Sequence, residues 1–254
     1  MTPDQQPVIE FLCRLGDNTL ILGQRLSEWC GRGPVLEEDI ALANTALDLI
    51  GQTQLWLGLA GELEQAGRTA DDLAMRRDVW DFHNFLLTEQ PNGDFGQTMM
   101  RQFLFDAWHV RMLNGLSNAS NEQIAEIAAK TVKEATYHLQ RSSETVVGLG
   151  DGSDESHTRM QQALDKLWPY VGEMFAADDV DHAMQQNGVA PDLTQLQLDY
   201  HEYVNQVLSD ATLELPDTCF SHSGGKDGSR HSEHLGHLLT QLQWLQRAYP
   251  GAKW

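Results

Sequence analysis

Along this chain apolar residues recur at helical spacing over long stretches. No run alternates apolar and polar residues with β-branched enrichment, and no Asn-Gly or Asp-Gly turn joins two such runs. The pattern predicts a first helix over about 8–29, ended by Gly31, Gly33 and Pro34, and a second over about 37–63. A shorter third is expected at about 78–88, followed by a turn at EQPNGD. The fourth covers about 95–116 and the fifth about 122–149. Serines and aspartates of GDGSDES can cap a sixth, about 157–176, which Pro169 should kink. A short helix at 178–186 closes on Asn187-Gly188. Pro191 suits the first turn of another that reaches about 213, and a last helix ends near 249 after a long irregular segment.

Two of these helices set the layout. DIALANTALDLIGQ in the second and QTMMRQFLFDAWHVRML in the fourth are apolar on nearly every side, and such helices are normally enclosed by others. Two enclosed long helices with long neighbours predict a ferritin-like bundle. With no repeat or linker in sight, residues 1–254 are expected to form one all-α, ferritin-like helical domain.

A chain of 254 residues can bury roughly 70–75% of its unfolded surface, so it needs no covalent or metal staple. Cys13, Cys30 and Cys219 are few and far apart, and read as reduced, packed thiols in a cytoplasmic protein. No signal peptide or membrane-length apolar segment is evident. Acidic residues outnumber basic ones 37 to 17, a formal charge of −20. That field repels phosphate backbones and anionic lipid, which argues against nucleic acid or membrane as a partner and for a protein with a basic face.

KEATYHLQR at 133–141 raises a specific chemistry, because Glu134 and His138 lie one turn apart. An iron pair in a helical bundle usually takes one Glu from each of two helices and an ExxH from each of the other two. Measured against that requirement, the sequence is short of donors. The second helix offers Asp48, but Gly51 stands at i+3. The fifth offers Glu134, but Tyr137 takes the i+3 slot and His138 lies one residue beyond. The fourth offers Asp106 with His109 at i+3, the best match. In the first helix the candidates for a lone carboxylate are Asp17 and Glu28, neither at a clearly inward position. The expectation is that Asp48, Asp106, His109, Glu134 and His138 bond to one another, to Tyr137 or Arg141, or to buried water, and hold no metal. An independent di-iron oxidase or ferroxidase built on Asp106 and His109 is the alternative.

Two other patterns carry less. His222, His231, His234 and His237 include three histidines at i+3 steps, but these rotate around a helix and no cysteine joins them, so capping and surface roles are expected over zinc. SGGKDG at 223–228 lacks the spacing of a phosphate loop and reads as an irregular segment whose glycines take positive φ.

LGDNTLILGQRLSEWCG, ALANTALDLIGQ, TEQPNGDF, FDAWHV, KEATYHL, MQQALDKLW and GGKDGSRHSEHLGHLLTQLQWLQR occur in that order from about residue 10 to Trp254. Together they resemble the C-subunit family of the phenylacetyl-CoA 1,2-epoxidases, ring-epoxidising multicomponent oxygenases of aerobic phenylacetate catabolism. The resemblance implies a ferritin-like bundle with additional C-terminal helices and a non-catalytic, structural role. It implies pairing with a di-iron catalytic subunit of related fold, beside a small third subunit. A reductase that uses NADPH, flavin and an iron–sulfur cluster completes the complex. On that footing the chain carries no catalytic residue and no cofactor of its own. Asp48, Asp106, His109, Glu134 and His138 are then vestigial ligand-like positions. Lys226 and Arg230, taken as exposed loop residues, are candidates for contact with coenzyme A phosphates or a partner, and the isolated chain is expected to form a homodimer.

Overall fold

The computed structural model describes residues 5–218 and 220–252. Among them there is no strand, and the chain is all-α, with the long paired helices of a ferritin-like bundle. No described helix is long and apolar enough to cross a membrane. Two compact units are present, one formed by Met1–Pro91 with Ser223–Trp254 and the other by Asn92–His222.

In the first unit, α1 (Gln6–Ser27) runs antiparallel to α2 (Leu36–Glu64). The pairing follows from small residues seven apart on α1. A Cβ at Gly16 would sit 2.6 Å from Leu57 Cδ2, and one at Gly23 would sit 3.3 Å from Ile50 Cγ1, so glycine is what lets α2 approach. Between them Thr19 Oγ1 and Thr53 Oγ1 share a hydrogen bond of 2.9 Å. Helix α1 is buried almost all round. Acidic Glu37, Glu38 and Asp39 in the first turn of α2 favour its positive N-terminal dipole. A short helix, α3 (Ala70–Met75), begins at a Thr69–Asp72 capping box. It is joined by α4 (Leu86–Glu89) and, from the C-terminal segment, by α10 (Glu233–Ala248). Gln243 Nε2 on α10 donates to the carbonyls of Ala74 and Arg77, at 2.9 and 3.1 Å.

The second unit pairs α5 (Phe95–Leu116) with α6 (Glu122–Gly150), again antiparallel, and adds α7 (Asp154–Leu167), α8 (Asp179–Gln186) and α9 (Leu193–Asp210). Asp94, Asn121, Ser153, Asp178 and Asp192 each cap a helix start by accepting a backbone N–H. The enclosed character expected of α5 is observed.

Several expected elements differ, each for a physical reason. The helix expected at 78–88 is a 3₁₀ turn at Val79–Asp81 followed, after extended backbone at Phe82 and Phe85, by the single turn of α4. Its amides are taken by α1: His83 N donates to Asp17 Oδ2 and Phe85 N to Asn18 Oδ1, both at 2.9 Å. Pro169 ends α7 instead of kinking it, and 3₁₀ turns at Trp168–Tyr170 and Gly172–Phe175 follow. Pro191 precedes the Asp192 cap and lies outside α9. Nor is α2 enclosed, since Leu36, Ile40 and Leu47 are exposed. Cys13 is buried, and burial with Asp17 nearby pushes its thiol up to about 12. Cys30 is exposed and not packed, and Cys219 lies outside the described residues.

A buried ion pair ties the first unit together. Arg77 donates from both terminal nitrogens to Asp17, whose side chain is wholly buried, and Arg77 Nη1 also reaches the Asp81 carbonyl at 2.8 Å. Removing one member strands a buried charge. We expect Arg77→Met to lower unfolding stability by about 3–5 kcal/mol, and Asp17→Asn combined with Arg77→Met to lose less. Urea unfolding checks this; a double variant worse than the single one contradicts it.

Candidate functional site

Where α5 and α6 pair, they bring polar groups into an apolar surround. Asp106 on α5 is wholly buried. Its Oδ1 accepts from Gln102 Nε2 at 2.7 Å, one turn back on the same helix, and its Oδ2 accepts from Ser142 Oγ on α6 at 2.8 Å. Burial pushes the Asp106 carboxyl up to about 8, against the hydrogen bonds from Ser142 and Gln102 and the charge of Arg141. Burial therefore favours the protonated acid.

One turn on, His109 is 1% exposed and tilted against Phe105, with ring centroids 5.0 Å apart. Burial, with the charge of nearby His138, pushes its pKa down to about 3. Nδ1 of His109 has no hydrogen-bond partner among the described residues. Burial thus favours the neutral forms of both Asp106 and His109, close to His138, which α6 also buries.

Glu134 is half-buried on α6 and Tyr137 is exposed. Asp48 and Gly51 lie on α2 of the other unit, Asp48 half-buried and Gly51 exposed. Asp17 is inward, but Arg77 occupies it, while Glu28 pairs with Arg25 at 3.3 Å. Among the described residues, no three His, Cys, Asp or Glu side chains gather into a metal-holding group.

Of the histidines, His222 stacks on Tyr170 at 4.4 Å between ring centroids, and His237 is exposed. His231 belongs to a cluster that spacing gave no hint of. Glu89, wholly buried, takes His231 Nδ1 at 2.5 Å on Oε1 and both Ser232 N and Ser232 Oγ, at 2.8 and 2.5 Å, on Oε2. His231 Nε2 meets the Phe82 carbonyl at 3.0 Å. Ser232 is the residue before α10, so Glu89 sits as an acceptor at that helix start. Glu89 carried no signal of this role, because it opens EQPNGD, which reads as a turn. The loop leading to this cluster has positive φ at Gly224 and Gly228, as expected. Within it Lys226 is buried, against expectation, whereas Arg230 is exposed.

The Asp106 acid gives a pH dependence of definite sign. Its folded pKa lies above the ordinary carboxylate value of 3.8. Between that value and about 8 the unfolded chain has lost the proton and the folded chain keeps it, so this group's contribution falls as pH rises through the window. Asp106→Asn keeps an acceptor for Gln102 and offers an N–H to Ser142. It should match the parent near pH 4 and exceed its stability near pH 8 by on the order of a few kcal/mol. Thermal unfolding across pH reads this; a gap widest in acid contradicts it.

Comparison with known proteins gives this geometry a family. The family model described as phenylacetic acid catabolic protein matches residues 1–254. The chain is 46% identical over 244 residues, 96% of its length and 98% of the relative's, to the C subunit of the 1,2-phenylacetyl-CoA epoxidase of Escherichia coli (strain K12). A match over the full length, with an all-helical fold, shows that the chain belongs to the phenylacetic acid catabolic protein family.

Proposed function

We propose that the chain is the non-catalytic, structural subunit of a phenylacetyl-CoA epoxidase, working in the cytoplasm as one ferritin-like domain. It pairs with a di-iron catalytic subunit, in a complex that also holds a small third subunit. A flavin and iron–sulfur reductase that draws on NADPH supplies the electrons. The observation that carries this reading is the state of Asp106. A cation pair needs anionic oxygens, and the wholly buried carboxyl beside His109 has both oxygens taken by Gln102 and Ser142 in an apolar surround that favours the protonated acid. The residues present do not fit an iron pair, and no step of the reaction passes through them.

The chain's own contribution is positional. A rigid helical partner fixes the helices it packs against, and small displacements of a catalytic constellation can cost about a hundredfold in rate. Arg230, exposed in the loop before α10, is the residue assigned to coenzyme A phosphate or partner contact, while Lys226 in the same loop is buried.

The purified chain is expected to turn over no phenylacetyl-CoA alone and to restore turnover when mixed with the reductase and the catalytic subunit. Asp106→Asn should restore it equally. Two irons per chain after aerobic reconstitution, or loss of complex activity in Asp106→Asn with the fold intact, defeats the proposal. In the assembled complex Arg230→Ala should raise KM for the thioester by about tenfold, the worth of one charge-assisted hydrogen bond. An unchanged KM removes Arg230 from coenzyme A.

A further inference from the structure

Helix α2 presents an outward stripe that the described residues leave uncovered. Positions 36, 40, 44, 47, 51, 54 and 58 are spaced by four or three and fall on one side of a 3.6-residue helix. Leu36, Ile40 and Leu47 are 70%, 51% and 66% exposed, and Asn44, Gly51 and Gln54 are exposed as well. No charged residue stands on the stripe from Leu36 to Gly58. In a chain carrying 54 charged residues, 37 acidic and 17 basic, that is not how a merely solvated helix face reads.

The structure assigns this stripe as the docking seam for a long helix of a different subunit, one with an apolar seam flanked by lysine or arginine. The inference rests on the proposed pairing with a catalytic subunit, and it locates that pairing on the chain. Three observations select the occupant. The stripe rises through 22 residue steps from Leu36 to Gly58, about 33 Å at 1.5 Å per residue, which suits a helix and not a short peptide. At Gly51 and Gly58 an added Cβ would meet nothing within 4 Å, so a second helix can come close there. Exposed Glu37 borders one side of the stripe, and the chain's net charge is −20, which calls for a basic border opposite.

A second copy fits less well. An antiparallel, two-fold pairing centred on Leu47 would join two surfaces of the same sign, each from a chain of net charge −20. The stripe alone is smaller than the roughly 800 Å² per partner of a standard interface, so it forms the apolar centre of a wider contact.

The test uses the full chain and the affinity-tagged catalytic subunit from the same organism, with binding titrated directly. Leu36→Glu combined with Leu47→Glu, and separately Gly51→Leu, alter exposed positions and should leave thermal unfolding close to the parent's. Each is expected to weaken binding more than about tenfold. Trp244→Glu, on the exposed face of α10, should leave it unchanged. Parental affinity in both α2 variants overturns the assignment. So does loss of a homodimer of the isolated chain with affinity for the catalytic subunit intact, which would make a second copy the occupant. Failure of the unaltered chain to bind the catalytic subunit takes down the proposed function as well.

Discussion

A carboxyl group removed from water must be neutralised or matched by donors, and three wholly buried ones organise this chain. Each is handled differently. Asp17 is matched by the guanidinium of Arg77 and the amide of His83. Glu89 takes an imidazole and the amide and hydroxyl of Ser232. Asp106 favours its protonated form and lies between Gln102 and Ser142. The first two close long stretches of chain, since Glu89 and His231 are 142 residues apart. They also determine local structure. Once α1 side chains claim the amides of His83 and Phe85, the intervening backbone is extended and no helix can run through it.

What the sequence makes legible follows the same division. Periodicity finds α1, α2, α5, α6 and α8 because their apolar positions and caps are local signals. It fails at 78–88, where apolar residues are spaced well enough for a helix but tertiary hydrogen bonds from α1 take the backbone donors. Overall hydrophobicity also misreads α2. A helix apolar on all sides is expected to be enclosed, yet Leu36, Ile40 and Leu47 remain uncovered by the chain itself. Apolar character reports that a face is to be covered, without saying by which chain.

The candidate site was partly legible. Spacing singled out Asp106 and His109, and the structure buries both on one helix with His138 close by. Ser142 and Gln102, the groups that decide what Asp106 does, carry no motif. Asp17 entered the sequence reading as a candidate iron ligand, because a carboxylate on a helix looks the same whether it faces a metal or a guanidinium. Arg77, 60 residues away, settles its role, and no spacing rule connects them.

The preference of buried Asp106 and His109 for their neutral forms bears on why such a chain would suit a supporting role. A bundle whose interior carboxylates converge on a metal gains much of its rigidity only when loaded, because apo ligands repel one another. Here burial favours the neutral acid, both its oxygens are engaged, and His109 packs against Phe105. The helix pair is thereby joined by the Ser142–Asp106 hydrogen bond without any cation. Ionising Asp106 to make it a ligand would place a charge in an apolar surround, and a cation pair would need further anionic donors beside it. A scaffold with this interior can present the same surface to a partner whether or not iron is in supply.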